Sequence, residues 1–267
     1  MIRILRRDNG GLLHEIEAPT LVGARLAHAV LPYASLPGAD LSHADLRGVD
    51  LCLADLSGAR LDDADLRGAD LSGANLRGAS LIRGRLTDVR LLGVDFSGAN
   101  LADADLTRCS FKLAQASGAP ASFQNARLRR AGLDHTDFSG SDFRGADLAE
   151  TNLLGASFAG CDLTGVSLVG ARLENTRLVG ARLDHADLCH AVVHRADLTD
   201  ARLHDATLGW TVFAACPTLA KALGLAAVSH LGPSSIDVQT FKEIGERLPR
   251  GFLEGVGVSG YRLTANG

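Results

Sequence analysis

Residues 61–80 read LDDADLRGADLSGANLRGAS, with Leu at 61, 66, 71 and 76 and Ala at 64, 69, 74 and 79. A period of five matches neither the alternation of a strand nor the 3.6 residues of a helical turn. The same spacing extends in both directions. Taking the Leu as the centre of each unit, centres recur at every fifth residue from 26 to 116, nineteen in all; sixteen are Leu and the others are Phe96, Phe111 and Ala116. Nineteen more run from 123 to 213, of which thirteen are Leu, five Phe and one Val193. The residue two before the centre is Ala in 26 of these 38 units and otherwise Val, Thr, Ser, Cys or Gly.

A helix would walk these Leu side chains around its axis, and a flat strand would send alternate centres to opposite faces. A chain that turns a corner every five residues avoids both outcomes, because each centre and the small residue before it point inward. Four corners close a turn in 20 residues, and successive turns stack by strand-type hydrogen bonds about 4.8 Å apart. One internal check supports four sides. On the side with centres 36, 56, 76, 96, 116, 138, 158, 178 and 198, Gly stands two residues after the centre in eight of nine cases, Asp200 being the exception.

Units such as ADLRG, ANLRG, ADLSG and SDFRG resemble the pentapeptide repeat family, Ala-(Asp/Asn)-Leu-x-x. That resemblance covers residues 19–213 and implies an all-β solenoid: a right-handed quadrilateral β-helix of about ten turns and roughly 45 Å of length. An N-terminal β-hairpin cap over residues 1–18 is expected from RILRRDNGGLLHEIE, which alternates apolar and polar residues around DNGG. Residues 214–267 read as a partly helical cap or dimerisation segment. Within it, one short helix is expected from Pro217 to Gly224. A second is expected with Ser234 or Ser235 as N-cap and Pro249 as its stop. The register breaks once, at 117–122, where a two-residue insertion containing Gly118 and Pro120 reads as a small loop and a candidate partner contact.

The bulk numbers narrow the function. Net charge is −4, which disfavours direct nucleic-acid binding, and no apolar run is long enough to cross a membrane, so a cytoplasmic location is the default. Five Cys without a close-spaced pair (52, 109, 161, 189 and 216) give neither a disulfide framework nor a zinc motif. A rod filled with Leu, Phe and Ala offers no enclosed pocket for catalysis, so no enzyme and no cofactor is expected. The stretch holding His185, Cys189, His190, His194 and His204 is the best metal candidate. Stacking sets Asp184 against His204 and His185 against Asp205, however, while His190 and His194 belong to other sides; surface ion pairs are therefore expected and a metal is not.

What remains is the outer surface. The repeats hold 24 acids and 19 bases, and the Asp just before each centre is expected to point into solvent with an ordinary pKa. Two sides are the more acidic: Asp40, Asp62, Asp63, Asp103, Asp142 and Asp162 lie on one, Asp55, Asp95, Asp137 and Asp197 on the Gly-rich other. These are the candidate partner-binding residues of a non-enzymatic protein-binding scaffold. The resemblance also implies an alternative, a DNA-mimicking modulator of a type II topoisomerase such as DNA gyrase that protects it from inhibitors. Such mimicry needs dense negative charge, and Arg residues interrupt both sides. Trp210, Phe213, Phe241 and Phe252 have two readings, a plug over the last turn or a homodimer contact.

Overall fold

The computed structural model describes residues 1–258 and is a right-handed quadrilateral β-helix closed at both ends. The quoted segment shows how a unit works. The Leu61 N–H donates to the Ser80 carbonyl in the next coil at 2.6 Å, and the Asp65 N–H donates to Ala44 in the coil before at 2.9 Å. The Ala64 N–H returns to the Leu61 carbonyl at 3.1 Å and closes a four-residue turn. The third residue of that turn has positive φ at every corner: 57° at Asp63, 69° at Gly68, 68° at Gly73 and 64° at Gly78. This is the demand of a type II turn, which Gly meets without strain and Asn, Asp or His tolerate better than other residues.

Inward positions follow the five-residue rule. Leu61, Leu66, Leu71 and Leu76 are fully buried, as are Ala64 and Ala69. Each buried Leu contributes about 1.5–3 kcal/mol, and the Ala position is tight because a main-chain carbonyl of the coil beneath faces it. Where a polar residue replaces the Ala, it can use that carbonyl, although Thr136 and Thr151 instead bond the carbonyls of their own turns, Leu133 at 2.8 Å and Leu148 at 2.6 Å. The Cys109 thiol donates to Leu86 at 2.8 Å, Cys161 to Phe138 at 3.0 Å, and the Thr176 hydroxyl to Leu153 at 3.0 Å.

Pairing runs at a spacing of 20, as in Asp95↔Gln115, widens to 22 in Asn100↔Ser122 and Gln115↔Asp137, and returns to 20 at Ser122↔Asp142. The two extra residues bulge from one corner, where Gly118 donates its N–H to the Ser97 hydroxyl at 2.9 Å. Ala116 leaves a small centre at this level. The rings of Phe96 and Phe138, two coils apart in its column, converge to 6.3 Å and fill the space.

At the N-terminus, β1 (Ile2–Arg6) and β2 (Leu12–Ile16) form an antiparallel hairpin, and β1 pairs with β3 (Ala34–Ser35) of the first coil, burying Ile4. The other end differs from the sequence reading. Winding does not stop at Phe213: Leu223 pairs with Arg202, 229–230 pair in parallel with 207–208, and 235–236 with 212–213, so one irregular coil continues to Ile236. The expected helix from Pro217 is a 3-10 turn, Pro217–Lys221, with Pro at its start. The next helix, α1 (Val238–Ile244), is capped by Asp237, whose carboxylate accepts the N–H groups of Gln239 and Thr240 at 2.9 and 3.1 Å. Ser234 and Ser235 are not the cap, because Ser235 is engaged in the last strand. A final helix, α2 (Arg250–Gly255), buries Phe252 on the end of the coil.

Candidate partner-binding faces

The Asp before each centre is part of the corner, and the expectation that it stands free in solvent is overturned. Its carboxylate accepts the N–H two residues later: Ser42 to Asp40 at 3.1 Å, Cys52 to Asp50 at 3.0 Å, Ser72 to Asp70 at 2.9 Å, Ser97 to Asp95 at 2.9 Å. A Ser or Thr at that position adds its hydroxyl, at 2.6 Å in Asp70, Asp95 and Asp137. An Arg there forks onto the carboxylate, as Arg47 does on Asp45, with both bonds at 2.7 Å.

At Asp40, Asp45, Asp70 and Asp95 these bonds lower the carboxyl pKa. Hydrogen bonding from Arg47 brings Asp45 to about 2. Burial alone would raise Asp70, but bonds from the Ser72 hydroxyl and N–H, then Arg90, hold it at about 2. Asp40 is lowered by Ser42, Asp63 by Arg83 and Asp142 by Arg144. Asp95 is lowered as well; its burial works against that shift and is outweighed by Ser97 and Arg77.

On the first acidic side the Arg residues stand close to the acids. Arg60 lies 3.7 Å from both Asp40 and Asp62, Arg83 pairs with Asp63 at 2.7 Å, Arg144 with Asp142 at 2.6 Å and Arg182 with Asp162 at 3.6 Å. Asp103 instead accepts from the Asn125 amide at 3.3 Å.

The Gly-rich side is different. Asp95 has Arg77 at 3.1 Å, but Asp55 is met by the Asn75 amide at 3.1 Å, and Asp137 and Asp197 by Ser139 and Thr199. Beside them Gly58, Gly78, Gly160 and Gly180 have open space where a side chain would be. Gly118 breaks this column. It is not a positive-φ corner, since the insertion reroutes the chain there, and Pro120 of the same loop packs toward Gly140.

The histidine stretch resolves into corner chemistry and surface pairs. His185 and His190 occupy positive-φ corners, as do His28, His43 and His135. His204 Nδ1 lies 3.2 Å from Asp184, His185 lies 4.0 Å from Asp205, and His194 lies 3.5 Å from Glu174. Among the described residues no three His, Cys, Asp or Glu side chains converge as a metal site. His190 stacks flat on Trp210, with ring centroids 5.0 Å apart.

The C-terminal aromatics divide. Phe213 and Phe252 are buried within the chain and pack against each other at 5.9 Å, so they form the plug and are unavailable to a second copy; Trp210 is 51% exposed on the side of the rod. Phe241 is half-buried beside Gly245 in the cap.

One side went unmarked in the sequence reading. The side with centres 31, 51, 91, 111, 193 and 213 carries exposed Val30, Leu53, Leu92, Leu113, Val192 and Val212. They fall in three pairs on adjacent coils, and Val192 stands directly opposite Val212 in the parallel register. The signal was available: apolar residues in outward slots of every fourth unit.

A filled axis, rungs at fixed spacing and all variety confined to outward slots define a repeat-built rod whose chemistry is presented on its faces. The pentapeptide repeat family matches in eight copies over residues 21–58, 59–98, 90–119, 121–145, 141–178 and 176–213, and the chain belongs to that family. Among solved structures it is similar to HetL, a pentapeptide repeat protein involved in heterocyst differentiation regulation from the cyanobacterium Nostoc sp. strain PCC 7120. Identity is 30% over 77% of this chain and 89% of HetL, with a TM-score of 0.45. It is also similar to a trypsin-treated form of QnrB1, a plasmid-mediated fluoroquinolone resistance protein, at 20% identity over 84% of this chain and 97% of that one, TM-score 0.42. Among proteins of curated function none matches the chain. No helix among the described residues is long and apolar enough to cross a membrane.

Proposed function

We propose that this protein is a non-enzymatic scaffold that binds a protein partner along the side bearing Val30, Leu53, Leu92, Leu113, Val192 and Val212. The observation that carries the reading is the placement of these exposed apolar residues on one side. A soluble rod gains nothing in its own fold from apolar side chains in outward slots, and aligned exposed apolar groups mark interaction surfaces. The test is quantitative co-purification from the native host with the wild-type rod and a Leu92→Asp/Leu113→Asp variant. A partner retained at stoichiometric level by the wild type and lost by the variant is the expected outcome. Equal retention by both would overturn the reading.

The second reading is a DNA-mimicking modulator of DNA gyrase. Asp55, Asp137 and Asp197, which form no ion pair with Arg among the described residues although Arg177 stands beside Asp197 in the ladder, speak for it. Their density speaks against it: they stand four and three coils apart, about 19 and 14 Å, where a duplex presents a charge every ~1.7 Å. A gyrase supercoiling assay with and without a quinolone decides. Neither inhibition nor protection at micromolar protein removes this reading.

A further inference from the structure

The final coil departs from the rule that builds the others at one inward position. Leu208 pairs in register with His230, and Leu148, Leu168, Leu188 and Leu208 are buried centres of the same column. His230 therefore holds the next centre, at the layer where the coil meets the helical cap. Both its ring nitrogens are buried, and neither has a hydrogen-bond partner among the described residues. Its ring lies 6.0 Å from that of Phe252 on α2, and the helix approaches so closely that a Cβ on Gly255 would collide with the imidazole.

Among the described residues no charged group pairs with it. On α2, Arg250 and Glu254 bond to each other at 2.8 Å and face solvent. Thr207–Leu208 and the 3-10 turn Leu225–Ala227, which packs on α2, carry no titratable group. Asp205, the acid closest in sequence to that strand, is exposed and lies 4.0 Å from His185. Burial holds the imidazole pKa below its ordinary value. A Leu in this slot would continue the column at no electrostatic cost, so the imidazole is the one group here whose state changes near neutral pH.

We propose that His230 is an acid-operated latch on the C-terminal cap: when the ring takes up a proton, α2 lifts and the end of the last coil, with Phe213 and the 235–236 strand, becomes accessible. The direction follows from linkage. The lifted form titrates at about pH 6.5 and the closed form lower, so the lifted form binds more protons between those values. Closure is complete above that window, weakens by up to about tenfold per pH unit as pH falls through it, and changes no further below it.

Hydrogen exchange of the full chain, read by mass spectrometry at about pH 7.5 and about pH 5 and corrected for intrinsic exchange, tests this. Peptides covering α2 should gain in opening at the lower pH, by at most about tenfold for each pH unit below about 6.5, while peptides in the central repeats stay unchanged. His230→Leu should abolish the gain, and His230→Met provides a less branched replacement if the Leu variant does not fold. Unchanged α2 protection in the wild type overturns the proposal, as does the same acid-induced gain in both variants. A titration of the wild-type His230 resonance at or above about pH 6.5 overturns it without any variant.

Discussion

Asp70→Ala tests the corner chemistry at a residue that looks dispensable from its outward slot. In the structure the Asp70 carboxylate accepts the Ser72 N–H at 2.9 Å, the Ser72 hydroxyl at 2.6 Å and Arg90 at 2.8 Å, with a side chain 19% exposed. Its pKa falls from 3.8 to about 2, which at about 1.4 kcal/mol per unit gives an upper figure of about 2.5 kcal/mol. Solvent screening of a partly exposed group reduces this to about 1–2 kcal/mol at neutral pH. For a carboxyl lowered on folding, the contribution is fully present above pH 3.8 and is lost as pH falls through about 2. Guanidinium unfolding of the wild type and variant at neutral pH should therefore differ by about 1–2 kcal/mol. That gap should close at about pH 2 if the coil still holds there. Equal stabilities at neutral pH, or a gap of the same size at both, would refute the assignment of Asp70 as a cap of its turn.

Other outcomes follow from the same geometry. Leu71→Ala at a fully buried centre should cost about 2–5 kcal/mol in calorimetry or denaturant unfolding. Leu71→Asp should abolish the folded circular dichroism signal. Gly73 and Gly78 share positive φ, but a Cβ at Gly73 would meet Leu53 at 2.6 Å and one at Gly78 meets nothing. Gly73→Ala should thus lower stability more than Gly78→Ala, by about 1 kcal/mol. Ala116→Leu should destabilise by about 1–3 kcal/mol, because the Phe96 and Phe138 rings already occupy the space; a rise in melting temperature would contradict that packing.

The rod is readable from residues alone because its rule is strict. Leu61, Leu66, Leu71 and Leu76 admit one geometry, and the 20-residue turn is written in the Gly of every fourth unit. The outward slots obey a second rule that is harder to see. Asp45 and Asp70 look like free surface charge because sequence shows only their spacing; that each one caps a turn depends on a backbone N–H two residues on. The same holds for His185 and His190, which suggest a metal as letters and prove to be corner residues with positive φ. The last coil escapes detection because Leu223, His230 and Ile236 are joined by connections of unequal length, the first holding the 3-10 turn Leu225–Ala227 and the second none, so no period survives. The expected Ser caps fail for a related reason: the strand pairing that engages Ser235 is long-range, and Asp237 is the first residue free to cap α1.

The central claim is that a partner reads the apolar side of this rod. Site-specific photo-cross-linking in the native host tests it most directly, with p-benzoylphenylalanine placed at Leu92 or Leu113 on the apolar side and, for comparison, at Ser57 or Ser139 on the Gly-rich side. The account predicts a discrete adduct from positions 92 and 113 and none from 57 and 139. An adduct formed only from the Gly-rich side would contradict it and move the partner to the side of Asp55 and Asp137.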